Sequence, residues 1–450
     1  MDRGGADTAA RPDTWAPAPT KLRPDWVVSA GEIGSYCGPD LAVDRWGNSL
    51  ITGSLRERTA FGSTTLTPRT PLGDIYVAKL DATGKFVWVV QVTAGDHEYF
   101  NSWGMGSQAI AVDSAGSAYI AGWFSGVVAF GSSTISSGTK RGDLFMAKLN
   151  GDGKFVWAHV WKRWGNKSAN AIAVDPSGNI CVSGFLENVC IIAKLDSDGR
   201  FLWTRSVSGL EPAGCGSAEA DSSGGCYVTG YFTDTAECQD SKLTLQGSSS
   251  DIFVTRLDRD GRFVWAISAG GKYKDSGISI ALDKRGSIYL TGSYYDTATI
   301  GNKVLKSTGK DKEGTFIAKL DSAGKFLWVV PDSDVGDVGF YSVAVDGSGN
   351  SAVTGEFFGT ATFGNTVLTS RGGSDVFVAR LDPGGRFLPG VPAISAGGTG
   401  EDVAYSIALP GANRVYISGR FSGTATFGRT TLTSRWPYEI FVARYTISGM

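Results

Sequence analysis

The chain carries only two histidines, His97 and His159, and it contains no Cys-x-x-Cys pair. Zinc centres need histidine and cysteine at close spacing, so none is expected. Neither sign of charge is in surplus, with 42 lysines and arginines against 44 acidic residues. That balance points away from nucleic acid and from anionic membranes. No apolar run approaches the roughly 18 residues of a membrane-spanning helix, so no membrane insertion is expected. A Gly-x-Ser-x-Gly elbow is missing, and neither histidine stands in a nucleophile arrangement. The first 20 residues lack the apolar core of a signal peptide and read as a flexible tether, with the tail placed at 1–22. Cysteine is sparse: Cys37 stands alone, and Cys181, Cys190, Cys215, Cys226 and Cys238 crowd into one stretch. They read as small buried hydrophobes, with room for one disulfide.

Glycine, in contrast, reaches 62 residues, with aromatics at 11%. Many turns between strands that still bury large side chains produce that mixture, whereas disorder would be poor in aromatics. A repeat explains it. "LAVDRWGNSLITG" (41–53) recurs as "IAVDSAGSAYIAG" (110–122), "IAVDPSGNICVSG" (172–184), "AEADSSGGCYVTG" (218–230), "IALDKRGSIYLTG" (280–292), "VAVDGSGNSAVTG" (343–355) and "IALPGANRVYISG" (407–419). A second phrase follows each, from "DIYVAKLDATG" to "EIFVARYTISG". In both phrases an apolar run meets Asp-x-x-Gly and resumes, the pattern of a hairpin whose turn is held by the aspartate and closed by the glycine.

Each unit of about 62 residues therefore supplies four strands, a to d, and the repeat predicts an all-β, seven-bladed propeller over 23–450. The seventh copy stops before its strand d, while "LRPDWVVSAGEIG" (22–34) reads like "GRFVWAISAGGKY" (261–273). The N-terminal strand is thus expected to complete the last blade, with 25–30 beside 439–445. Trp26, Trp88, Trp157, Trp203, Trp265 and Trp328 share one strand d position, and Pro389 is the exception. They read as packing residues. On "SIALDKRGSIYLTGSY … DIFVTRLDRDGRFVW" the chain resembles the bacterial seven-bladed propeller repeats called SBBP repeats. That resemblance implies a protein secreted or displayed at a bacterial surface, without assigned chemistry. WD-repeat Gly-His and Trp-Asp pairs are missing, as is the sialidase Asp-box.

Strand order puts the a–b and c–d turns on one face and the variable b–c and d–a loops on the other. The b–c insertions, absent from the third blade, read as decoration. The d–a loops hold His97, Tyr99, Phe100, Trp103, Trp161, Arg163, Trp164, Tyr273, Phe340, Tyr341 and Tyr405, an aromatic set suited to a protein or glycan partner over the central channel. Asp275, Asp337 and Asp402 recur in equivalent loops, where three carboxylates could hold calcium; no other cofactor is expected. The expected function is a monomeric, non-catalytic binding scaffold at or outside the cell surface. An intracellular interaction hub and a carbohydrate-active lyase or hydrolase are the alternatives.

Overall fold

A computed structural model describes residues 24–32, 39–69, 73–94, 105–137, 142–161, 167–186, 189–207, 213–238, 241–307, 313–390 and 393–447. Seven antiparallel sheets surround one axis, each built from strands a to d in that order. The fifth blade is typical, with Ser276–Leu282, Ile288–Tyr295, Glu313–Leu320 and Phe326–Pro331. The seventh takes Val403–Gly411, Arg414–Phe421 and Glu439–Thr446 from one end of the chain and Pro24–Glu32 from the other. Trp26 lies opposite Arg444, Val28 opposite Val442 and Ala30 opposite Ile440. The ring is closed as the repeat predicts, which leaves no unpaired sheet at the junction. No α-helix occurs among the described residues.

The Asp-x-x-Gly turns behave as their chemistry requires. Asp44 Oδ1 accepts from the amides of Trp46 at 3.0 Å and Asn48 at 2.9 Å, and Gly47 takes a φ of 83° that a side chain would resist.

The strand d tryptophans act between blades. Each indole Nε1 donates to a carbonyl in the next blade's c–d turn, at 2.8–3.2 Å: Trp26 to Ala82, Trp88 to Gly151, Trp157 to Ser197, Trp203 to Arg259, Trp265 to Ser322 and Trp328 to Pro383. The turn glycine makes room for the ring; a Cβ on Gly84 would stand 2.5 Å from Trp26. This also explains Pro389. In the seventh blade, strands c and d come from opposite ends of the chain, so no continuous c–d turn joins them to receive an indole from the sixth. These rings are half-buried at the outer rim, not deep in the core.

The b–c insertions are more than decoration, contrary to the sequence reading. They form hairpins whose Phe61, Phe130, Ile300, Phe363 and Phe427 are completely buried, and Cys238 fills the same place in the fourth blade. Burial pushes the Cys238 thiol up to about 12, which marks it as a packing group. Three hairpins extend the sheet of the preceding blade, as where Val128 and Ala129 pair with Ala94 and Thr93. Phe61, Phe130 and Phe363 also meet Phe86, Phe155 and Phe387 edge-on at 5.7, 5.3 and 5.6 Å.

The third blade has no such hairpin, and Trp161 replaces it. At that strand d position other blades carry Val92, Val207, Ala269, Ala396 or Ala30, paired like Trp161 with the start of strand c. Trp161 instead packs on Phe201 at 4.9 Å and is 8% exposed. Two disulfides, Cys181–Cys226 and Cys190–Cys215, cross from the third blade to the fourth. The sequence reading allowed for one. Such bonds belong to an oxidising environment.

Candidate functional site

The two faces of the ring differ in chemistry. On the turn face of the first five blades, the basic residue of the strand c "AKL" or "TRL" reaches the aspartate of the a–b turn in its own blade. The pairs are Lys79–Asp44 (3.4 Å), Lys148–Asp113 (3.8 Å), Lys194–Asp175 (3.0 Å), Arg256–Asp221 (3.3 Å) and Lys319–Asp283 (3.8 Å). Asp175 is held below the usual carboxylate range: Lys194 and Asn179 outweigh the upward push of burial. Aspartate, lysine and turn amide are thus spent on one another, leaving little for a ligand.

On the loop face the repeat loosens in two places. Strand a carries a bulge, which falls at Gln108, Asn170, Gly216, Ile278, Tyr341 and Tyr405 in successive blades. Beside it, strand b follows its "TG", "SG" or "AG" with a residue that varies around the ring: Ser54, Trp123, Phe185, Tyr231, Ser293, Glu356 and Arg420. A bulge re-aims a side chain out of the ladder, and here it does so within the loop-face half of the innermost strands.

Blades six and seven bring these positions together. The Tyr341 and Tyr405 rings stack at 6.4 Å and 15°. Tyr341 donates its hydroxyl to Glu356 Oε1 at 2.6 Å; burial and this carboxylate both raise its pKa. The Arg420 guanidinium lies 5.8 Å from the Tyr405 ring and 4.2 Å from that of Tyr438. Glu401 accepts from the Tyr438 hydroxyl at 2.8 Å and stands 3.9 Å from Arg420, whose Nε has no partner. Two stacked tyrosines, a third beside an arginine and two flanking carboxylates form a half-buried array that can grip planar or amide groups.

The other expected site residues divide three ways. His97, Tyr99, Phe100, Trp103, Arg163 and Trp164 lie outside the described residues. Trp161 and Phe340 are corrected: the first fills the missing hairpin's place, and the second is fully buried among Phe357 and Phe377. Tyr273 stays accessible, 37% exposed, but pairs with Tyr295 and is separate from the Tyr341–Tyr405 stack. Arg420, Tyr438, Glu356 and Glu401 were missed; their signal was variation at a fixed repeat position.

Asp275, Asp337 and Asp402 do not form a common cluster. Asp275 accepts from the amides of Gly271 (2.6 Å) and Tyr295 (3.2 Å), and Asp402 likewise from Gly398 (2.7 Å) and Ser422 (3.1 Å). The backbone of Asp337 receives the Phe358 amide at 2.9 Å. Among the described residues, no three acidic, histidine or cysteine side chains stand together as metal ligands. Asp275 is instead near Asp251, and Asp402 near Asp375. Burial raises Asp275 to about 7 and Asp251 and Asp402 to about 6. These carboxylates clamp loops.

No family profile matches the chain. An uncharacterized WD repeat-containing protein of Acanthamoeba polyphaga mimivirus is 27% identical over 148 residues, covering 30% of this chain and 10% of that protein. The chain therefore spans about a tenth of that relative's length. Among solved structures, the Pan2 WD40 domain of Neurospora crassa has a TM-score of 0.47 at 10% identity, covering 96% of this chain and 99% of its own. The polysaccharide lyase Uly1 has a TM-score of 0.48 at 10% identity over 97% and 95% of the two chains. YCF48, solved with a D1 peptide, has 0.45 at 10% identity over 96% and 100%. Likeness at this identity extends to fold alone.

Proposed function

We propose that the protein is a non-catalytic binding scaffold, working outside the cell, that holds a protein partner on its loop face through Tyr341, Tyr405, Arg420 and Tyr438. The observation that carries this reading is the contrast between faces. The turn face repeats one self-satisfied ion pair through five blades, while the loop face changes its inner residues from blade to blade and gathers Tyr341, Tyr405, Arg420 and Tyr438 at one junction. Tyrosine and arginine are the side chains that most often anchor protein interfaces. Against a catalytic role, the raised carboxylates are buried and bonded to their own loop amides.

The test is affinity capture from the native host's extracellular fraction, with chemical crosslinking to place the contact. Tyr405→Ala with Arg420→Ala is expected to weaken capture at least tenfold, since each such anchor is worth about 2 kcal/mol when desolvated. A double variant that captures as well as the wild type, or crosslinks confined to the turn face, overturns the reading.

Export is supported by the two disulfides, which the cytosol would keep reduced. Alkylation of the natively produced protein should leave Cys181, Cys190, Cys215 and Cys226 unlabelled until a reductant is added. Labelling of all four without reductant would favour an intracellular hub.

A further inference from the structure

The seam where the ring closes contains a cleft that none of the foregoing uses. Three hairpins pair with strand d of the blade before them, but the first blade's hairpin, Thr59–Phe61 with Thr64–Leu66, forms a two-stranded sheet by itself, as the fourth blade's does. At the seam, the strand Pro24–Glu32 ends irregularly. Its register shifts between Ala30 and Glu32, and Gly31 there takes a φ of 44° close beside Thr59 of the hairpin. A gap of about 440 Å³ remains, between this strand, the first blade's hairpin and the segment entering the seventh blade's strand c.

Its walls are chemically one-sided. Arg58 comes from the hairpin, and Arg435 and Trp436 from the facing segment. Both arginines are exposed, and neither has a side-chain hydrogen bond or ion pair among the described residues. Trp436 keeps 38% of its surface open, an unusual position for an indole without a partner. The acidic residue in the wall is Glu439, 6% exposed, with Oε1 accepting the Arg435 amide at 2.8 Å. Thr65 and Thr433 add hydroxyls. A chain of net charge −2 thus places two uncommitted guanidinium forks around one flat apolar platform.

We propose that this cleft binds an acidic saccharide, a short sugar chain bearing carboxylate or sulfate groups. The indole face suits the C–H face of a pyranose ring, and the forks suit a planar or tetrahedral anion through two parallel hydrogen bonds. Threonine hydroxyls and Glu439 meet the ring hydroxyls. The volume holds about two or three sugar units, in the usual range for small-ligand clefts. An inorganic anion would leave the indole unused, and a neutral sugar would leave both charges uncovered.

Calorimetric titration of the full chain tests this with tri-galacturonate, its methyl ester, a sulfated disaccharide and inorganic phosphate. The uronate or the sulfated sugar should bind at least tenfold more tightly than the ester and phosphate, and which of the two wins identifies the anion. Arg58→Glu with Arg435→Glu should abolish binding, and Trp436→Ala should weaken it at least fivefold. These side chains are exposed, so the melting temperature should hold, and circular dichroism checks that it does. Tyr405→Ala with Arg420→Ala should leave the titration unchanged, which separates this site from the loop-face array. Equal binding of the methyl ester, phosphate binding as tightly, full binding by the arginine double variant, or no binding of either acidic sugar each overturns the proposal.

Discussion

The turn face and the loop face are built from the same seven units and ask opposite things of them. On the turn face, a position that recurs must recur, because each side chain completes a contact made by another repeated group. Lys194 is 2% exposed beside an equally buried Asp175, and its ammonium also reaches the Gly224 carbonyl of the next blade. On the loop face, the bulge and the residue after the "TG" glycine can change without breaking any repeated contact, and they do. Repetition in this protein therefore marks what holds the ring together, and variation at a fixed place marks what faces a partner.

The sharpest way to break that comparison is to remove one member of a turn-face pair. Lys194→Ala leaves Asp175 buried without its cation, and losing one partner of a buried pair costs about 3–5 kcal/mol. Denaturant unfolding should record a loss of that size. A loss below about 1 kcal/mol would mean that the turns, not the ion pairs, secure this face. Replacing both partners together with apolar residues of similar volume should restore much of the stability, since the penalty lies in the orphaned charge.

A smaller effect of opposite sign is expected on the loop-face side, at the buried Asp251–Asp275 pair. Asp251 is fully buried, accepts the Gln246 amide at 2.6 Å through Oδ2, and has no partner for Oδ1. Burial raises it to about 6 and Asp275 to about 7, from an ordinary 3.8. Between these values the folded ring holds protons that the unfolded chain has released. Stability contributed by this pair should therefore increase as pH falls from 8 to 5. Asp81, Asp175 and Asp221, held low by their hydrogen bonds, reverse the trend below about pH 4, where they take up protons and lose their contacts. Asp251→Asn keeps an acceptor for Gln246 and removes one of two neighbouring charges. It should stabilise the protein by about 1 kcal/mol at pH 8 and by almost nothing at pH 5. Destabilisation at both pH values would show that Oδ1 has an unrecognised partner.

The ring and its closure were legible because they depend on repeated words, and seven copies of a turn or six of a tryptophan cannot be mistaken. The ion pairs recur in five blades but are not legible in the sequence, since the basic residue and the aspartate lie in different phrases and only the sheet brings them together. The hairpins were misjudged because the third blade lacks one; nothing in the chain says that Trp161 does the same packing work from a neighbouring strand. Phe340 and Tyr341 show the limit most clearly. They are adjacent aromatics in one strand, and the bulge between Phe340 and Ser342 sends one into the core and the other toward the loop face. Sequence pattern cannot locate a bulge of one residue, so it cannot tell the packed ring from the available one.

The smallest effect on stability is expected where the effect on binding is largest. Tyr405 and Arg420 touch Tyr341, Tyr438 and Glu401 at the loop-face end of the two last blades, half-buried, and neither lies in a hairpin or a turn. Their ion pair is long at 3.9 Å and open to solvent on the Glu401 side, the class of contact that contributes about 0–1 kcal/mol. Tyr405→Ala with Arg420→Ala should therefore lower unfolding stability by no more than about 1 kcal/mol. Phe340→Ala, one residue from Tyr341, should cost about 3–5 kcal/mol, because it empties a fully buried space against Phe357 and Phe377. Measuring both in the same denaturant series places the boundary between structure and site within a single strand. If the double variant were as unstable as Phe340→Ala, the tyrosine–arginine array would be a seventh structural fastening, and the partner would have to be sought elsewhere on the ring.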